Sequence, residues 1–293
     1  MIRVSGLADL APRSIQRDAL RRHFAIARDW RRTISGRVGF GCAALVVLVA
    51  VFGGLLAPYD PFVIAGGSLV PPSRGHLMGT DALGRDVLSG VLLGARSSLF
   101  VAGAVGLIAL AVGCAVGMVA GYRGGWVDDL LMRMTELFQV IPRFFFAVIA
   151  IALFGPGTDR LILTLGITSW PMLARVVRSE VIVMRELDYV RASKAMGAGA
   201  AHIAWRQLVP NLAPTIAVSL GLLIGQVLLL DATLGFLGLG DPSSVSWGMM
   251  ASQAQGLLRV AWWLGFFPGL AITISVLGAN LLADAFSAEH TAA

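Results

Sequence analysis

The sequence predicts an all-α integral membrane protein with six transmembrane helices and both termini in the cytoplasm. Three observations carry that prediction. Hydrophobic residues make up 57% of the 293 positions and charged ones only 14%, with a mean hydropathy of +0.79, far from the balance of a soluble domain. Four windows, 38–57, 97–121, 212–230 and 260–283, contain no Asp, Glu, Lys or Arg, and each exceeds the ~18 apolar residues that cross a bilayer core. The basic residues are also unevenly placed. Nine of the 23 precede the first window (Arg3, Arg13, Arg17, Arg21, Arg22, Arg28, Arg31, Arg32 and Arg37) and six lie between Arg175 and Arg206, as the positive-inside bias requires. A net charge of +6 and a pI near 10.3 would by themselves suit nucleic acid, but this distribution needs no nucleic-acid partner.

Residues 1–37 form a basic cytoplasmic segment, with Phe24, Ile26 and Trp30 among its arginines, and read as an anchor lying along membrane lipid. The first transmembrane helix, 38–57, is too long and starts too late for a cleaved leader. An extracytoplasmic connector, 58–96, opens with a stretch rich in Pro and Gly. It then carries the motif residues Gly79, Thr80, Asp81, Gly84, Arg85 and Asp86, with Arg96 at the next membrane entry. Thr80 or Asp81 is expected to cap a helix there, and Asp81 and Arg85 are spaced for i,i+4 pairing.

Five further helices occupy 97–284. The second span, 97–121, turns through Gly121, Gly124 and Gly125 into a third element, 130–154, which holds Arg133, Glu136 and Arg143 and is interrupted by Pro142. Arg133 and Glu136, three apart, can pair on one face. Ionisable groups at this depth normally face the protein interior or a water-filled cavity. Arg133, Glu136 and Arg143, together with Gln226 and Asp231 of the fifth span, are therefore candidate translocation-pathway residues. Snorkelling of Arg143 to the membrane surface is the other reading, and the two stand level. The fourth helix, 160–184, has Pro171 in mid-span and leaves the membrane with Arg175, Arg178, Glu180 and Arg185.

Residues 186–211 make a polar cytoplasmic loop in an otherwise greasy chain. Residues 191–196 read as a short helix broken at Gly197. A second helical piece, 198–209, carries Ile203 and Leu208 on its apolar side, with Trp205 a further candidate for that side. Pro210 and Pro214 are expected to close it before the fifth span. Ala192, Ser193, Ala195, Ala198, Gly199, Ala200 and Ala201 leave the backbone bare, so another protein can approach closely. The fifth span, 212–230, exits through a glycine-rich stretch, 235–242, into a re-entrant or interfacial piece around Trp247. The last span, 260–283, leads to a short tail, 285–293.

The chemistry that would make this chain an enzyme is missing. There is no GxxxxGK[ST] phosphate loop, so ATP cannot be hydrolysed by this chain alone. His23, His76, His202 and His290 are scattered, and no HExxH or GxSxG occurs. No metal site or cofactor is expected, and Cys42 and Cys114 read as small apolar residues within spans.

The loop resembles the EAA loop of bacterial ATP-binding-cassette importer permeases, in which Glu-Ala-Ala is followed by Gly and then by Ile-x-Leu-Pro. Here those positions are Arg191, Ala192 and Ser193, then Gly197, then Gln207, Leu208, Val209 and Pro210. The connector motif, Gly121 to Asp128, and the stretches Phe236 to Gly240 and Ser246 to Gly248 are similar to the C-type permease subunit of dipeptide, oligopeptide and nickel importers. Gly90, where that family usually has Arg, and Asp231, where Glu is common, depart from it. The resemblance implies the type I importer permease fold and a place in the bacterial inner membrane. It implies a heterodimer with a second homologous permease, two ATPase subunits that bind the ATP and Mg, and an extracytoplasmic solute-binding protein. It also implies coupling to the ATPases through Tyr189, Arg191, Ala192, Ser193, Lys194, Ala195, Gly197, Ala198 and Pro210. The solute stays open among peptides, nickel chelates, glutathione, opines and oligosaccharides. A self-sufficient channel or ion-coupled secondary transporter is the alternative from another class.

Overall fold

The computed structural model describes residues 34–287; the expectations placed on residues 1–33 and on the tail beyond 287 lie outside them. Among the described residues every regular element is helical, apart from one isolated bridge between Thr80 and Asp86. The helices are α1 (Ile34–Leu56), α2 (Val87–Arg123), α3 (Gly125–Val140), α4 (Arg143–Phe154), α5 (Thr158–Met184), α6 (Asp188–Ala195), α7 (Ala200–Phe236), α8 (Trp247–Gln253) and α9 (Trp263–Ser287). Five of them, α1, α2, α5, α7 and α9, are long and apolar enough to cross a membrane. The pair α3 and α4 makes a sixth, bent by 71°. The bend has a local cause, because a residue before proline is pushed out of the helical region. Ile141 accordingly sits at φ −92°, ψ 123°, and α4 restarts after Pro142.

The bundle is organised by the contact between α2 and α5. A Cβ added to Gly117 would lie 2.5 Å from the carbonyl oxygen of Ala174, one on Gly113 3.0 Å from that of Trp170, and one on Gly121 2.9 Å from that of Arg178. Three glycines at i, i+4 and i+8 therefore make a groove into which the α5 backbone settles, the small-residue device by which helices associate where lipid removes the hydrophobic driving force. A second close approach joins α1 to α9, where Cβ atoms on Gly39 and Gly278 would meet Leu281 and Cys42 at 2.8 and 2.9 Å. A buried apolar core, including Val105, Ala109, Leu165, Trp170, Leu223 and Leu234, fills the space between α2, α5 and α7.

Two expectations about the connector change. α2 starts at Val87, ten residues before its charge-free window, so Arg96 lies within the helix and is exposed. Its cap is Asp86, which accepts from the Ser89 amide at 2.8 Å and from the Ser89 hydroxyl at 2.7 Å, and neither Thr80 nor Asp81 caps it. Thr80 is instead buried, accepting from the Val70 amide and donating to the Gly67 carbonyl. Asp81 holds the backbone amides of Leu83 and Arg85, and no ion pair joins it to the Arg85 guanidinium. His76 Nδ1 lies 3.0 Å from Asp86 Oδ1, and the indoles of Trp263 and Trp247 donate to the Thr80 and Val91 carbonyls. The piece around Trp247 is thus a short helix stapled to α2.

At the same end, Asp241 caps α5 from a distant part of the chain. Its Oδ2 accepts from the Thr158 amide at 3.0 Å and from the Thr158 hydroxyl at 2.7 Å, while Oδ1 accepts from Ser243. The Ser243 hydroxyl and then Thr158 hold this carboxyl at a pKa of about 2.

Both kinds of contact can be tested through stability. Gly117→Leu drives a side chain into the α5 backbone and is expected to cost ~1–3 kcal/mol or more, seen as a lowered thermal midpoint. Gly103→Leu, at a site with nothing within 4 Å, leaves the midpoint unchanged. Because the folded pKa of Asp241 is depressed, its contribution is fully present above pH ~4 and is lost as pH falls toward ~2. Asp241→Asn should therefore lower the midpoint at neutral pH by ~2–4 °C and remove part of the acid-dependent decline between those values.

Candidate functional site

The polar loop forms a small folded unit seated on the end of α5. Val190, Ile203, Leu208 and Leu212 from the loop side are buried with Leu173, Val177 and Val181 of α5. The α6 helix ends in a Schellman motif, in which the Gly197 amide bonds the Lys194 carbonyl and the Ala198 amide bonds that of Ser193, each at 3.0 Å. This geometry requires the left-handed conformation that Gly197 adopts at φ +85°, a conformation that disfavours residues with a Cβ.

The second helical piece does not stop at the prolines. α7 runs without interruption from Ala200 to Phe236 through Pro210 and Pro214, contrary to the expected closure. Ahead of Pro210 the hydrogen-bond ladder widens into a π turn over Ala204–Leu208, with the Val209 amide reaching the Ala204 carbonyl. The wider turn relieves the clash that the Pro210 ring would otherwise make with the carbonyl four residues back. It also explains the buried face. Ile203 and Leu208 are five apart, which on a regular α-helix places them roughly 140° from one another, yet both are fully buried. Trp205, a candidate for that apolar side, is 73% exposed instead.

Polar contacts lock the two pieces together. Gln207 Nε2 donates to Ser193 Oγ at 2.6 Å, Ser193 Oγ donates to the Tyr189 carbonyl at 2.8 Å, and Asn211 Nδ2 donates to the Gln207 carbonyl at 2.6 Å. Arg191 pairs with Glu186 at 2.5 Å. The guanidinium holds the Glu186 carboxyl below the usual carboxylate range, and partial burial pushes the Tyr189 phenol up although 43% of the residue stays exposed. Tyr189, Arg191, Ala192, Lys194, Ala195, Gly197 and Pro210 are exposed, with Ser193 and Ala198 half-buried. Met196 at 72% exposure joins Trp205 in adding apolar surface to this bare face. An isolated Met carries no sequence pattern that would mark it for such a surface.

Behind the loop, charged contacts pin the end of α5. Arg178 forms a forked pair with Asp128 in the first turn of α3, at 2.5 and 2.7 Å, and Arg185 Nη1 donates to the Gly121 carbonyl at 2.7 Å, near the end of α2. A bidentate guanidinium–carboxylate pair fixes orientation as well as distance.

The candidate pathway residues divide. Arg143 Nη2 donates to Gln226 Oε1 at 3.1 Å, joining α4 to α7. Arg133 and Glu136 are both exposed on α3 and form no ion pair with each other, so the expected pairing is not made. Gln139 continues their stripe at the same spacing and accepts from Arg175 of α5. Neither Gln139 nor Arg175 is among the sequence candidates for the pathway, although the interval of three from Arg133 through Glu136 to Gln139 is legible in the chain. Asp231 belongs elsewhere. It is buried between α7 and α2, beside the Ser98 hydroxyl, five positions from Gln226 and therefore on another face.

The family described as binding-protein-dependent transport system inner membrane component matches residues 113–288, which contain the whole loop. The dipeptide transport system permease protein DppC of Bacillus subtilis is 35% identical over 264 residues, covering 87% of this chain and 82% of the relative. The glutathione transport system permease protein GsiD of Pectobacterium atrosepticum is 33% identical over 261 residues, covering 87% of each. A solved structure of the MetNI methionine ABC transporter in inward-facing conformations shares the fold, with a TM-score of 0.55 at 18% identity over 69% of this chain and 95% of that one. With its membrane-crossing helices, its exposed loop and this coverage, the chain belongs to the binding-protein-dependent transport system inner membrane component family and is a multi-pass permease of the inner membrane.

Proposed function

We propose that this chain is one permease of an ATP-binding-cassette importer that carries peptides, or a related solute such as a nickel chelate, into the cytoplasm. It pairs with a second homologous permease, receives solute from an extracytoplasmic binding protein and is driven by two separate ATPase subunits. ATP and Mg are held by those subunits, and this chain catalyses no reaction. Its loop lies on the cytoplasmic side with both termini. The functions for which the relatives are named, dipeptide and glutathione transport, support the solute class.

The observation that carries the reading is the loop's construction. A helix that exposes Ala192 and Ala195 among larger polar residues is fixed by a buried apolar seat to α5 and by a hydrogen-bonded chain to α7. Such a surface lets an ATPase groove close around it, and the seat passes displacement to two membrane-crossing helices. Arg191, which replaces the family's Glu, is engaged by Glu186 within this chain, so the ATPase meets a paired guanidinium there.

Ala195→Glu tests the docking without disturbing the Schellman motif. ATPase co-purification and uptake should both fall at least about tenfold, with membrane levels of the permease unchanged; normal values for both would remove the loop from coupling. Arg143→Ala should reduce uptake several-fold while leaving the complex assembled, whereas unchanged uptake would mean that Arg143 only reaches toward the membrane surface. Reconstituted without ATPases, the permease should move nothing, and solute flux in that state would establish the self-sufficient transporter in its place.

A further inference from the structure

The connector motif divides into residues that build the fold and residues left over. Thr80 is consumed by its bonds to Val70 and Gly67, and Asp86 has one oxygen against His76 and the other on Ser89. Asp81 and Arg85 are different. The hydrogen bonds of Asp81, to two backbone amides, both use Oδ1. The buried Nε of Arg85 has no hydrogen-bond partner, and its guanidinium is in no ion pair among the described residues.

Both side chains line one cavity of about 440 Å³, formed between the connector and the 242–264 stretch, at the end of the bundle away from the loop. Its other walls include Phe62, Met249, Met250 and Leu264. The volume falls within the range of small-ligand sites, which combine apolar walls with a few convergent polar groups. A guanidinium presents a planar fork matched to a carboxylate, and the second oxygen of Asp81 is an acceptor for an ammonium. Two methionines make the apolar wall adaptable to side chains of different shape.

We infer that this cavity is a binding site for a small zwitterion with an apolar side chain, the class to which short peptides belong, with its carboxylate at Arg85 and its ammonium at Asp81. The solute class rests on the proposed importer function; the site does not coincide with the Arg143 and Gln226 contact within the bundle. It provides a place where solute released outside is held before it enters the membrane part.

The test uses the membrane complex of both permeases and the ATPases in nanodiscs, without the soluble binding protein, and titrates the dipeptide Leu-Phe, its C-terminal amide and its N-acetyl form. Wild type should bind Leu-Phe about tenfold more tightly than either blocked form. Arg85→Gln should erase the preference for the free carboxylate alone, with Arg85→Lys retaining part of it. Asp81→Asn, which keeps the acceptor for the two backbone amides, should erase the preference for the free ammonium alone. Absence of Leu-Phe binding to wild type, or the same discrimination in Arg85→Gln at a matched thermal midpoint, overturns the site. Uptake by the full system including the binding protein is a separate readout. If that system takes up no peptide, the importer's peptide assignment fails, whatever the cavity binds. If it does take up peptides while the Arg85 variants keep wild-type discrimination, the importer stands and the cavity assignment fails.

Discussion

Much of this structure depends on how closely α2 and α5 approach. Side chains cannot separate the two backbones along Gly113, Gly117 and Gly121, and in a membrane that closeness supplies packing which apolar bulk alone cannot, since lipid tails are as apolar as leucine. α5 then serves as a common support. Its middle packs into the core shared with α7, and its loop end supports Val190, Ile203, Leu208 and Leu212. Its first residue is held by Asp241, far along the chain. A membrane helix fixed at its start, middle and end can position surface features on both sides of a bilayer.

The charged contacts lie at the ends of this support. The Arg178 and Asp128 fork and the Arg185 bond to Gly121 sit at the loop end, and the Asp241 cap at the other. Charges are least costly to retain where some solvent remains, and a forked or doubly bonded carboxylate fixes geometry there in a way that dispersion contacts do not. Along its middle α5 instead packs through apolar side chains such as Leu165 and Trp170 and against the α2 glycines.

The parts of the fold set by composition are legible in the chain. Long charge-free windows have few alternatives to a membrane helix, and a polar stretch between two of them cannot lie in lipid. Features that depend on a partner in space are not. The start of α2 is hidden because its first turns contain Arg96 and Gly94, and because any of Thr80, Asp81 and Asp86 has the chemistry of a cap. Gly113 and Gly117 read as merely apolar, and Gly121 as part of the turn, until the facing carbonyls of α5 are known; Gly121 lies buried within α2. Pro142 breaks its helix while Pro171, Pro214 and Pro268 sit within theirs, so the presence of a proline does not by itself tell a broken span from a continuous one. In the candidate site, the loop's exposed residues and the Gly197 turn come from local chemistry. The apolar side shared by Ile203 and Leu208 is legible from their character and both are buried, but how an interval of five comes to lie on one side is not, and the π turn supplies it.

The two sides of the loop around that π turn are built differently. Upstream, α6 is set off from α7 by the break at Met196 to Gly199. Downstream, one unbroken helical backbone runs from Ala200 to Phe236. The loop surface and the turn that carries Gln226, the partner of Arg143, therefore belong to one continuous helix.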